Sequence, residues 1–101
     1  MMELEELRKK IDEIDSKLVS LYEERVGISE QIALYKIENN LEIFDPKREV
    51  EKIKSVRSKT HDEFTAQCIE ELFEHILALS RKKQYAIMRE KGITEGVPDE
   101  M

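Results

Sequence analysis

The sequence of 101 residues has no tryptophan, one cysteine, two prolines and three glycines, and only 6% of it is aromatic. So few turn-forming residues disfavour a fold of many short strands and suit long helices. A single cysteine excludes a disulfide within the chain. Cys68 has Ala66, Ile69 and Leu72 around it at helical spacing, so it reads as a small core residue, not as a nucleophile. No apolar run approaches the ~18 residues that a membrane span needs, and the opening MMELEELRKK lacks the apolar stretch of a secretory signal. Positive charge is also in deficit: the net charge is −6 with 40% of residues charged, which disfavours generic binding to nucleic acid or anionic membranes. There is no internal repeat, Gly-rich phosphate loop or low-complexity linker. What remains is a small soluble cytoplasmic domain, near the lower size limit for burying its own core.

What is present is helical periodicity. Apolar residues recur at alternating three- and four-residue steps through Leu4, Leu7, Ile11, Ile14, Leu18 and Leu21, and again through Ile28, Ile32 and Tyr35. Such a seam packs against another helix. One member breaks it, because position 25 is arginine. The first helix is expected from about Glu3 to Ile37 or Glu38, with Asn39-Asn40 ending it. Asp45-Pro46 announces a second helix, Asp as cap and Pro at its first position. Its apolar face is Val50, Ile53 and Val56, and it fades near Ser58. Thr60 with Glu63 resembles a capping box opening a third helix. That helix carries Phe64, Ile69, Leu72, Phe73, Ile76, Leu77 and Leu79 and runs to about Arg89. The expected architecture is all-α, with a long first, short second and long third helix forming one domain over residues 1–90. Residues 91–101, with Gly92, Gly96 and Pro98, read as a disordered acidic tail.

Helix length points to a partner. About 35 helical residues extend roughly 52 Å, whereas a compact chain of about 100 residues has a radius of gyration near 13 Å. Two further helices cannot cover that seam. A second copy of the chain is the simplest cover, so an intertwined homodimer is expected.

Several polar residues sit where a plain helical bundle has no need of them. Arg25 in the seam is either one half of a buried ion pair or a clamp for an anionic ligand. Lys36 lies eleven positions on, about 20° around the helix and roughly 16 Å along it, close enough to share a small ligand. Arg8 is roughly 25 Å from Arg25 and about 100° around, so it reaches the same ligand only from an antiparallel partner. The two-fold axis would then fall near residue 19, inside the apolar Leu18–Leu21 stretch. Arg48 occupies the first turn of its helix, where the macrodipole disfavours a cation, and Glu49 follows it. Phe73, Leu77, Ser80 and Gln84 share one stripe whose last two members are uncharged hydrogen-bonders. Taken singly, most have ordinary explanations: Asp45 a cap, Arg48 and Arg8 surface charges, Lys36 a favourable C-terminal cation, Ser80 the edge of the bundle. Their combination favours a binding site. His61 and His75 are isolated and read as surface residues.

These residues resemble the all-helical AroQ-type chorismate mutases. Leu7-Arg8-Lys9-Lys10-Ile11-Asp12-Glu13-Ile14-Asp15 is similar to that family's opening signature, and Arg25 and Lys36 follow at the family spacing. Asp45-Pro46-Lys47-Arg48-Glu49 resembles its D-x-x-R-E segment, and Ser80 with Gln84 its S-x-x-x-Q pair. The likeness covers roughly residues 4 to 89, leaving the acidic tail outside.

The resemblance implies the Claisen rearrangement of chorismate to prephenate, on the route to phenylalanine and tyrosine. That reaction is intramolecular and needs no metal or cofactor; it needs positioning and electrostatics. Arg25 and the partner's Arg8 would clamp the two substrate carboxylates. Lys36 and Gln84 would donate hydrogen bonds to the ether oxygen, Lys36 also touching a carboxylate. Glu49 would accept from the ring hydroxyl with help from the backbone around Asp45, and Arg48 and Ser80 would complete the carboxylate shell. Two rivals are an isochorismate-pyruvate lyase on the same fold, whose members generally lack the D-x-x-R-E segment, and a non-enzymatic helical dimerisation module, which leaves Arg25 unexplained.

Overall fold

The computed structural model describes residues 3–99; the last two residues of the expected tail lie outside them. Among the described residues there are three helices and no strand: α1 over Leu4–Glu38, α2 over Pro46–Ser58 and α3 over Glu63–Glu90.

Local chemistry sets most of the boundaries. Asn40 adopts the left-handed region (φ 54°) just past α1. The Leu41 amide bonds the Lys36 carbonyl at 2.8 Å and the Asn40 amide bonds that of Ile37. This is a Schellman closure with asparagine in glycine's usual place. Gly92 (φ 75°) ends α3 in the same way, with the Ile93 amide on the Met88 carbonyl at 2.9 Å. Asp45 caps α2 by accepting from the Arg48 amide at 3.0 Å, with Pro46 at the first helical position. The expected Thr60 cap is not the one used. The Thr60 hydroxyl donates back to the Arg57 carbonyl at 2.7 Å, closing α2. Asp62 caps α3 instead, accepting from the Thr65 amide at 2.7 Å, because its extended backbone points the carboxylate at the exposed amides. Glu63 does not reach back for a box; it pairs with Arg57 at 2.8 Å, and Glu70 joins them.

Helix α3 packs against both other helices. Its partners on α1 rise in step, Arg25 with Ser80 and then Ser29 with Gln84, so these two helices run parallel. Against α2 the pairs run in opposite senses, Glu49 with Arg81 and Arg57 with Glu70. The buried face of α1 is made of small residues, Ser29 and Ala33, which lets α3 approach closely. Ala33, Ile43 and Tyr85 form the core, with Ile87, Met88 and Val97 against it. Residues 91–99, read as part of a tail, thus send Val97 back to the core, and Arg89 Nη2 holds the Pro98 carbonyl at 3.0 Å. Cys68 is exposed, contrary to its reading as a core residue. It lies about 200° around α3 from the buried Ala66, a rotation that apolar neighbours in sequence conceal.

The chain is elongated, 58 × 26 × 23 Å, with a radius of gyration of 17.1 Å. Residues 3–24 are all exposed. Among the described residues nothing therefore covers the seam from Leu4 through Leu21: Leu18 is 56% and Leu21 62% exposed. An apolar stripe of this length is not left in water by a stable fold without a reason.

Candidate functional site

Where the C-terminal half of α1, the start of α2 and the C-terminal half of α3 converge, they enclose a pocket of about 260 Å³. Seven of the eight residues singled out by sequence line it: Arg25, Lys36, Asp45, Arg48, Glu49, Ser80 and Gln84. Arg8 does not. It is exposed on the uncovered half of α1, roughly 25 Å of helix rise from Arg25.

Arg25 is half-buried, and its Nη1 donates to Ser80 Oγ at 2.7 Å. The ion pairs among the described residues join other cations, so the Arg25 charge is oriented by a neutral hydroxyl and not cancelled. Lys36 is held differently. Its Nζ donates to the Ile43 carbonyl at 2.8 Å, which ties the α1 end to the loop leading into α2. Asp45 accepts the Arg48 amide with one carboxylate oxygen as the α2 cap, and Arg48 is exposed at the pocket rim.

Gln84 is buried, and its Nε2 donates to the Ser29 carbonyl at 3.1 Å and to Ser29 Oγ at 3.0 Å. A carbonyl only accepts, so the amide nitrogen is the atom that faces it. These two contacts fix the amide at the pocket wall, among the lining residues. Ile28, Ile32 and Leu77 supply the apolar wall.

Sequence reading missed three residues. Arg81 forms an ion pair with Glu49 and lies over the Phe44 ring, 5.1 Å from its centre, a contact favourable for a guanidinium. Glu49 is thereby fixed at the pocket edge. Ser29 is the anchor for Gln84. Lys52 lines the α2 side; burial, together with the neighbouring Arg48, Lys59 and Arg25 charges, lowers its pKa from the ordinary lysine value. The signals were present as spacings: Ser29 is four residues after Arg25 and Lys52 four after Arg48, which puts each pair on one helical face.

The arrangement suits a small anion carrying hydrogen-bond acceptors. Oriented cations meet it from α1 and α2, a neutral amide donor sits at the floor, and apolar side chains limit water. Five cationic and two anionic side chains line the cavity, within a chain of net charge −6. The positive potential is therefore local to the site, where it attracts an anionic ligand.

The sequence pattern of the family described as chorismate mutase type II matches residues 7–85. A chorismate mutase of Methanocaldococcus jannaschii is 46% identical over 46 residues, a stretch that covers 46% of this chain and 46% of that protein. The aligned part is thus just under half the length of that relative. The family match embraces the pocket-lining segments of all three helices, and the chain belongs to the chorismate mutase type II family.

Proposed function

We propose that this protein is a chorismate mutase, converting chorismate to prephenate in the synthesis of phenylalanine and tyrosine, and that it acts as an intertwined homodimer in the cytoplasm. One observation carries the reading: Arg25, a half-buried cation in an otherwise apolar seam, is bonded to Ser80 and, among the described residues, to no carboxylate. A desolvated guanidinium without a counter-ion is costly in a structural role. It is ready for one that the substrate brings.

Chorismate carries two carboxylates, and its enolpyruvyl arm must fold over the ring before the new carbon–carbon bond forms and the ether bond breaks. No group of the protein need exchange a proton. Arg25 and Arg8 of the partner subunit grip the two carboxylates and select the folded conformer, since arginine meets carboxylate with two parallel hydrogen bonds. Negative charge grows on the ether oxygen as its bond lengthens. Lys36 and the Gln84 amide donate to that oxygen, held at the pocket by their bonds to Ile43 and Ser29. Glu49, held by Arg81, accepts from the ring hydroxyl alongside the backbone at Asp45. Arg48 and Ser80 complete the contacts to the carboxylates.

The uncovered seam on α1 supports the dimer. An antiparallel copy crossing near residue 19 would bury the Leu18–Leu21 stretch and carry its Arg8 to the level of residue 30, beside the pocket. No helix among the described residues is long and apolar enough to cross a membrane, which accords with the proposed location.

Loss of chorismate followed by ultraviolet absorbance, with the products identified, tests the reading. Prephenate is expected. Pyruvate with an aromatic acid would make the enzyme a lyase, and no turnover would leave a dimerisation module.

A further inference from the structure

Lys52 follows Arg48 by one helical turn on α2, and both line the pocket that Arg25 enters from α1. Like charges at this spacing repel. Lys52 is also half-buried, which adds a desolvation cost to its charged form. No ion pair within the described residues offsets either penalty. Their ion pairs join Arg57 to Glu63 and Glu70, Arg81 to Glu49 and Lys83 to Glu30, and Lys52 belongs to none of them. Of the two carboxylates at the pocket, Glu49 is paired with Arg81 and Asp45 is turned to the Arg48 amide as a cap, and neither is paired with Lys52. The ammonium is therefore left facing a cavity already rich in positive charge, where an unbranched methionine would pack without that penalty.

We propose that Lys52 is a further substrate-binding residue: its ammonium contacts a carboxylate of the bound dianion from the α2 side, beside Arg48. This rests on the chorismate mutase reading above. The lysine stem is long and flexible, and its three hydrogens need no fixed approach angle, so it can follow a carboxylate that the more rigid arginines have placed. A ligand with two negative charges relieves the repulsion among Arg25, Arg48 and Lys52 on entering. The same contact persists from ground state to transition state, because the carboxylates do not react. Lys52 thus contributes uniform binding, which shows in KM and little in kcat.

The test compares steady-state kinetics, melting temperature and dimer mass of the full chain with Lys52→Met, Lys52→Arg and Lys54→Met. Lys54 is an exposed residue of the same helix, so its substitution repeats the charge change away from the pocket. Lys52→Met is expected to raise KM by about tenfold or more, as for loss of a charged hydrogen bond, with kcat changed far less and the melting temperature not lowered. Lys52→Arg should recover most of the affinity, and Lys54→Met should keep the parental KM. An active parent whose Lys52→Met variant has unaltered KM overturns this inference alone. The same result with a weakened dimer would also overturn it, assigning the ammonium to an acidic group of the partner. A parent that does not consume chorismate overturns the functional reading, and this inference with it.

Discussion

Arg25 Nη1 donates a 2.7 Å hydrogen bond to Ser80 Oγ across 55 positions of sequence. The bond aims the guanidinium into the pocket without cancelling its charge. A structural ion pair would have placed a carboxylate there.

Replacement of this group follows from its geometry. Arg25→Ala should lower kcat/KM by at least about 100-fold, on the order of 3 kcal/mol, as for removal of a preorganised charge. The variant should fold as well as the parent or better, since a partly desolvated cation is removed. Chemical denaturation run beside the activity assay checks both. An unfolded variant with intact residual specific activity would make the arginine structural.

Gln84→Glu sets a carboxyl against the Ser29 carbonyl, 3.1 Å from the amide nitrogen it replaces. Two oxygens can share that contact only with a proton between them, so burial and the carbonyl both raise the pKa of the introduced carboxyl. The parent should have activity nearly flat from mildly acidic to mildly alkaline pH. The variant should be active in acid and fall steeply toward neutrality. Its stability should follow the same sign: a raised folded-state pKa stabilises at low pH, and the gain is lost as pH rises through that value. A variant as active at about pH 8 as the parent would remove Gln84 from the reaction.

The proposed sharing of the site between subunits is tested by complementation. Arg8→Ala and Arg25→Ala should each be nearly inactive alone. Refolded together in equal amounts, they form mixed dimers in which one of the two sites has both arginines, so about a quarter of parental activity should return. No recovery, with mixed dimers demonstrated by mass, would place Arg8 outside the site.

Asp62 provides a stability test away from the pocket. Bonds from the Thr65 amide, the Thr65 hydroxyl and the Phe64 amide lower its carboxyl below the ordinary value of 3.8. A lowered folded-state pKa stabilises above the ordinary value, and that gain disappears as pH falls through the lowered one. Asp62→Ala should melt at lower temperature than the parent near neutrality, with the gap closing as pH falls through that lowered value. Thr60→Ala should have the smaller effect at neutral pH, because its hydroxyl closes α2 and caps nothing on α3.

Much of this was legible along the chain. Asp45-Pro46 is a cap followed by the one residue that fits the first helical position, and α2 begins there. The seam from Leu4 to Leu21 announced a helix with an unmet apolar face, and that face is uncovered among the described residues. Arg25 stood out because it broke a regular pattern. Thr60 misled because two capping candidates lie two residues apart, and backbone direction, not residue type, decides which carries the free amides. Cys68 misled because apolar neighbours in sequence can lie on different sides of a helix. Arg81 and Lys52 went unnoticed because a helix rich in lysine and arginine hides the few that turn inward.

The sequence alone determined the number, order and approximate ends of the helices, and which of their residues share a face, because helix geometry and capping depend on neighbours within a turn or so. The tertiary structure decided that α1 and α3 run parallel, that small Ser29 and Ala33 let them close, and that Gln84 therefore lands on Ser29. It also decided that Glu49 turns to Arg81. Those outcomes depend on how side chains from distant segments interlock and on which charges lose their water, and neither quantity is written at any single position of the chain.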